Sequence, residues 1–223
     1  VAKTKARASY HHGDLPAALV AATFDLVAEG GVQDFSVAAA ARRTGVSISA
    51  PYRHFADREE LLAACAIAAC EELKRRFDAE LATEPTAAGQ LAAVSGAYVR
   101  FAGERRAMFE ILHGAGLEKP KHPQLERAAF AALAAAEAAA RQLTPTGSDA
   151  ETGVLVQALT GLAQGHAALL LDGAFGEAPV AVDLAATRAR AATAAMIRGR
   201  SLLFELPTAG KVTPSAACSS SSP

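Results

Sequence analysis

Between Gly45 and Phe55 the chain reads GVSISAPYRHF, its densest run of chemically able side chains. Ser47 and Ser49 offer hydroxyls, Tyr52 a phenol, Arg53 a fixed cation and His54 an imidazole. Three chemistries could use such a set. Covalent catalysis needs a nucleophile, a base and an orienting acid, and this stretch supplies no paired second acid. Metal binding needs clustered ligands, and His11, His12 and Asp14 come closest to that elsewhere in the chain. Asp14, however, is explained by capping of the following helix, and the two histidines by a solvated or phosphate-facing arm. The third chemistry is contact with nucleic acid. Hydroxyls and small side chains suit base edges, while a phenol and an imidazole suit phosphates.

Composition narrows the field. Hydrophobic residues make up 51% of 223 residues, enough for a buried core and too many for a disordered chain. Formal net charge is −1, so any attraction to DNA must come from where the basic residues sit. Up to position 58 they are Lys3, Lys5, Arg7, Arg42, Arg43, Arg53 and Arg58, set against Asp14, Asp25, Glu29, Asp34 and Asp57. This end is only mildly basic. Cys65, Cys70 and Cys218 form no CxxC pair and read as free thiols in a reducing compartment. The N-terminus loosely resembles a signal peptide, but Asp14, Pro16 and Asp25 interrupt its apolar run. The uncharged run 154–171, VLVQALTGLAQGHAALLL, includes Gln157, Thr160, Gln164 and His166 and reads as a buried helix rather than a membrane span. A cytoplasmic protein that engages no membrane and uses no cofactor is expected.

The elements that must position the motif are helical. Alanine is abundant and β-branched runs are scarce, which favours helix throughout. Asp14 caps a first helix that Gly30 and Gly31 stop. Ser36 caps a short second one, VAAAARRT, closed by Gly45. A third is expected from Ser47 or Ser49, with Pro51 in its first turn. Asp57 caps a long fourth helix. Helices near 87–102, 105–113, 124–142, 149–172 and 180–204 follow. The expected architecture is all-α with about nine helices. Residues 1–57 form a helix-turn-helix domain with a basic arm, and 58–206 a larger helical domain for ligand binding and dimerisation. Residues 207–223 are low in complexity and expected to be disordered.

The spacing of Ala41, Gly45 and Val46 suits a helix-turn-helix, which needs a small residue at the crossing and a residue at ease with positive φ in the turn. With "GVS", then Tyr52-Arg53-His54-Phe55 and Arg58-Glu59-Glu60-Leu61-Leu62, residues 14–63 resemble the TetR family of bacterial transcription regulators. The YHHGDL of Tyr10 to Leu15 is similar to the helix entry in one branch of that family. That branch carries a Trp-x-x-x-His-Gly signature where this chain reads Thr160-Gly161-Leu162-Ala163-Gln164-Gly165. A short recognition helix can enter the major groove. Ser47 and Ser49 would then reach bases or phosphates, Ile48 and Ala50 a thymine methyl, and Tyr52 and His54 the phosphates. Ser36, Arg42, Arg58 and the Lys3/Lys5/Arg7 arm complete the expected DNA contacts.

The resemblance implies a palindromic or pseudo-palindromic double-stranded operator, a homodimer and a small-molecule effector. It places the effector between the long connecting helix and the C-terminal bundle. Tyr98, Phe101, Met108, Phe109, Leu112, His113, Gln157, Gln164 and His166 are the expected pocket residues. Gly161, Gly165 and Leu169 are the expected dimer contacts. The function implied is a ligand-responsive DNA-binding regulator, a repressor that its effector releases, and not an enzyme. Two other readings stay open: an interaction module with a vestigial helix-turn-helix, and a metal- or cofactor-dependent helical enzyme.

Overall fold

The computed structural model of the chain describes residues 14–177 and 180–204. Lys3, Lys5, Arg7, His11, His12 and the 207–223 tail lie outside the described residues. Among those described there are helices and no strand: α1 (Leu15–Asp34), α2 (Val37–Thr44), α3 (Arg58–Thr83), α4 (Ala87–Glu104), α5 (Arg106–Gly114), α6 (Pro123–Arg141), α7 (Asp149–Leu171), α8 (Val180–Arg198) and α9 (Ser201–Phe204). The all-α architecture expected from the sequence is what the chain adopts.

Helix starts follow from local chemistry. Side-chain oxygens of Asp14, Ser36, Asp57, Thr86 and Ser148 each accept the backbone N–H three residues on, at 2.9 to 3.3 Å. Each bond satisfies a donor that the first turn leaves open. Gly45, at φ 74°, ends α2; its N–H and that of Val46 return to Arg42 and Ala41 carbonyls. No atom lies near where a Cβ on Gly45 would sit, so the left-handed turn, not space, demands glycine there.

Two expectations need correction. The recognition helix expected from Ser47 or Ser49 is a turn followed by a three-residue 3-10 segment, Pro51–Arg53. Proline has no N–H to return to the Ser47 carbonyl, so that carbonyl takes Ala50 N–H instead, at 3.0 Å. One α-type bond survives beyond it, from Phe55 N–H to the Pro51 carbonyl at 3.0 Å. The last helix, expected unbroken to 204, stops at Arg198 and resumes at Ser201. Arg200 bridges the break, donating to the Leu143 and Ile197 carbonyls at 2.6 and 2.9 Å.

Packing divides into a head (α1, α2 and the 3-10 segment) and a body built around α4, which lies against α3, α7 and α8. One core cluster crosses the boundary at position 57. It joins Leu19, Val27, Phe35 and Val37 to Leu61, Leu62, Cys65, Ile111 and Leu125. Burial pushes the Cys65 thiol up to about 12, so it behaves as a small core hydrophobe. Close approach of α8 to α4 needs glycine: a Cβ on Gly96 would lie 2.7 Å from Arg190 Cγ, and one on Gly103 would lie 2.8 Å from Val182 Cγ2. Arg190 crosses Gly96 to reach Glu80 and Glu84 at 3.2 and 2.7 Å, stitching α8 to the end of α3. The buried Glu72 carboxylate is held by Arg75 and Arg76, and Arg76 continues to Glu104 at 2.8 Å. By length and composition α1 and α7 could each cross a membrane. Here α1 packs on α2, α3 and α5, and α7 on α4, α6 and α8.

The chain leaves helical geometry at Gly31, at φ 81° and ψ 164°, and a Cβ there would sit 3.2 Å from Glu110 Oε1. Gly31→Ala therefore carries both backbone strain and crowding of that carboxylate. A loss of about 1–2 kcal/mol in urea unfolding is expected. For a protein this long that lowers Tm by roughly 2–8 °C. An unchanged unfolding midpoint would show that this turn is not under constraint.

Candidate nucleic-acid interface and ligand cavity

The head presents one continuous outward-facing stretch. Ser36, Arg42, Ser47, Ile48, Ser49, Tyr52, Arg53 and His54 are all exposed, and Ala50 is half-buried. Ile48 and Tyr52, at 55% and 52% exposure, are large side chains held out in solvent. Pro51 between them is fully buried and pins the stretch against α1. Phe55 packs inward on the same core. The Ser47 and Ser49 hydroxyls lie 3.2 Å apart, so the two act as one polar patch. Ser36 spends its hydroxyl on the cap of α2.

Not every cation near this face is free to reach a phosphate. The guanidinium of Arg43 grips Glu29 with two bonds of 2.7 and 2.6 Å, fixing α2 to α1. Its pull holds the Glu29 carboxyl below the usual carboxylate range. Arg58 turns inward: Nε donates to the Phe35 carbonyl at 3.0 Å and Nη2 to the Val32 carbonyl at 2.5 Å, with the group 5.7 Å above the Phe35 ring. Arg58, expected as a DNA contact, is thus committed to the backbone of the α1–α2 joint. That joint has a second holder. Glu110 of α5 accepts the Val32 N–H at 2.6 Å, and Gln33 donates to the Gly114 carbonyl at 3.2 Å. At the start of α3, His122 Nε2 lies 2.9 Å from Glu59 Oε1.

The body holds a cavity, continuous with solvent, between α3, α4, α6 and α7. Each helix contributes one stripe. Leu73 and Phe77 come from α3; Leu91, Val94, Ser95 and Tyr98 from α4; Leu133, Ala136 and Glu137 from α6; Val156, Leu159, Thr160 and Ala163 from α7. The α4 and α7 sets fall at i, i+3, i+4 and i+7, one helical face apiece.

Of the expected pocket residues only Tyr98 lines this cavity. Its hydroxyl lies 2.8 Å from His113 Nε2, and its ring meets Phe109 edge-on at 5.8 Å. Burial raises the phenol to about 12, and a hydrogen bond with Gln164 opposes that shift. His113, Phe109, Met108 and Leu112 therefore form a layer on α5 next to the cavity rather than its wall. Phe101 is core, under the Arg76 guanidinium. Gln157 and Gln164 are exposed on α7. His166 bonds the Leu162 carbonyl at 3.0 Å and stacks toward Phe175. Gly161, Gly165 and Leu169 are exposed on α7, with open space where either glycine would carry a Cβ. Among the described residues no three His, Cys, Asp or Glu side chains gather as a metal site.

Residues 19–65 match the family model described as "Bacterial regulatory proteins, tetR family". No curated protein matches the chain. Among solved structures, similarity extends over the body. A protein of unknown function from Rhodococcus sp. RHA1 is 29% identical, with 86% of this chain and 98% of that one covered and a TM-score of 0.69. A TetR family transcription regulator from Marinobacter aquaeolei VT8 is 20% identical over 79% and 94%, at TM-score 0.58. RolR, solved in complex with its ligand resorcinol, is 22% identical over 86% and 93%, at TM-score 0.56.

Removing Arg58 separates a structural role from a phosphate contact. Arg58→Ala should lose about 1.5–3 kcal/mol of stability, because two backbone carbonyls forfeit a charged donor. Chemical denaturation reads this directly. An Arg58 that served only a phosphate would leave the unfolding curve in place and weaken DNA binding alone.

Proposed function

We propose that the chain, whose residues 19–65 match the model of the bacterial regulatory proteins of the tetR family, is a homodimeric, ligand-responsive DNA-binding repressor. Its operator is palindromic or pseudo-palindromic double-stranded DNA, and a small molecule in the body releases it. The observation that carries this reading is the outward-facing stretch Ser47 to His54 on a buried Pro51 anchor. Small residues and hydroxyls at its start allow close approach to base edges, and Tyr52 and His54 at its end suit phosphates. Among the described residues the head offers few unpaired cations, so one head binds weakly and two half-sites supply the affinity.

Dimerisation uses the open face of α7, where Gly161, Gly165 and Leu169 stand exposed beside Val154 and no residue bears a formal charge. A paired copy laid along this face buries apolar surface and sets the two heads a fixed distance apart. Ligand state reaches each head by a short route. Tyr98 on the cavity wall touches His113 and Phe109 of α5, and Glu110 of α5 holds the Val32 N–H. A ligand favouring one setting of α3 and α5 shifts the DNA-competent population by its differential affinity, tenfold for about 1.4 kcal/mol. The protein works in the cytoplasm, where DNA and effector meet, and catalyses no reaction.

Fluorescence anisotropy against duplexes tiling the protein's own upstream region, repeated across salt, tests the reading. One tile is expected to bind about 10³-fold or more above random duplex, with log K falling by about 0.9 per neutralised phosphate. Binding no better than random to any genomic fragment would favour the vestigial interaction module. Tyr52→Ala should weaken binding to all sequences alike, whereas Ser49→Ala should alter the preference among them. Full affinity of the Tyr52 variant at matched salt would overturn the docking geometry. For the dimer, Gly165→Leu should shift sedimentation toward monomer and abolish tight operator binding; a dimer that persists would place the interface elsewhere.

A further inference from the structure

We propose that the cavity between α3, α4, α6 and α7 takes an uncharged, largely apolar molecule bearing one hydrogen-bonding group, which Ser95 Oγ receives. This deepens the ligand-responsive reading above and rests on it. The walls supply the first half of the argument. Leu73, Phe77, Leu91, Val94, Leu133 and Leu159 make a surface with nothing to solvate a charge. Among the described residues no Lys, Arg or His lines it, and Glu137 is the sole charged one in the lining. An anionic ligand would lose its water, gain no counter-charge and meet a carboxylate. A cationic one has only half-buried Glu137 to offset the loss of its own hydration. The Tyr98 phenol, raised to about 12, stays neutral and is engaged by His113 at 2.8 Å.

Ser95 supplies the second half. A serine or threonine inside a helix ordinarily returns its hydroxyl to the carbonyl one turn back. Thr23 and Thr44 do so here, at 2.7 and 3.0 Å. Ser95 does not. Its residue is 4% exposed, and its Oγ has no hydrogen-bond partner among the described residues. Thr152 and Thr193 share that condition, but neither lines the cavity. Leaving a buried hydroxyl unpaired costs stability. A ligand hydroxyl, carbonyl or ether oxygen removes the deficit on binding, so the site rewards one polar group on an otherwise greasy body.

Four probes with one ring system separate the possibilities: naphthalene, 1-naphthol, 1-naphthoate and 1-naphthylmethylamine. Each is titrated calorimetrically at pH 7 into the full chain and into Ser95→Ala, without DNA. 1-Naphthol is expected to bind about 5- to 10-fold tighter than naphthalene, the worth of one net hydrogen bond. Both ions should bind at least about 10-fold more weakly than 1-naphthol. In Ser95→Ala the gap between naphthol and naphthalene should close while naphthalene affinity holds, which also reports an intact fold. An ion binding as tightly as naphthol overturns the proposal, as does a gap that survives the substitution. Absence of binding by all four overturns it too. The regulator reading is judged separately by operator anisotropy, so loss of one leaves the other standing.

Discussion

The turn between α1 and α2 is the joint on which the head's stance depends. Where α1 breaks at Gly31, the polar backbone of Val32 and Phe35 loses its helical partners, and buried groups of that kind demand replacements. The replacements come from outside the head. Arg58, the first residue of α3, takes the Val32 and Phe35 carbonyls, and Glu110 of α5 takes the Val32 N–H. Both are charge-assisted bonds, shorter and stronger than neutral ones. The head is therefore oriented by two helices of the body. A displacement of α3 or α5 is a displacement of the exposed stretch 47–54.

The body is organised by small residues. Ala92, Ala93, Ala97 and Ala102 bury much of α4, and Gly96 and Gly103 let α8 lie close across it. Close packing on one side has a counterpart on the other. Where α4 faces α3, α6 and α7, the facing residues include Ser95, Ala136 and Ala163, too small to fill the space between four helix axes. The same alanine-rich composition thus produces both the tight seam and the cavity. The layer of Phe109, Leu112 and His113 lies between that cavity and the joint, so the two features are separated by one layer of side chains.

Much of this was legible in the sequence because caps and glycine stops are local chemistry. Asp14, Ser36, Asp57 and Gly45 mark helix ends in the sequence and do so in the fold. The exposure of Ser47, Ile48, Ser49, Tyr52 and His54 was legible too, since hydroxyls, a phenol and an imidazole in one short run suit a surface. Pro51 misled in one respect: its fixed φ suits a first turn, yet its missing N–H leaves a 3-10 segment where a longer helix was expected. The role of Arg58 was hidden, because nothing adjacent to it reveals that carbonyls 23 and 26 residues earlier will lie beside it. The pocket was the weakest reading. Aromatic and polar residue types point to Gln157, Gln164 and His166, whereas α4 lines the cavity with Leu91, Val94, Ser95 and Tyr98, one face of a helix that is buried on nearly every side. Which face a neighbouring helix leaves uncovered is a property of the assembly, not of any one helix.

The core cluster that runs from Leu19 and Val37 through Leu61 and Leu62 to Ile111 and Leu125 bears on how such a chain can be recombined. A cut at position 57 looks clean in the sequence, since it falls at a helix cap. Physically it severs a shared core and removes both holders of the Val32 backbone at once. A chimera that transplants residues 14–57 onto another helical body inherits the exposed stretch 47–54 without the residues that orient it. Exchange of the head between chains of this fold therefore needs the first three turns of α3 and the whole of α5 to travel with it, or the recipient's counterparts of Arg58 and Glu110 to be rebuilt to match.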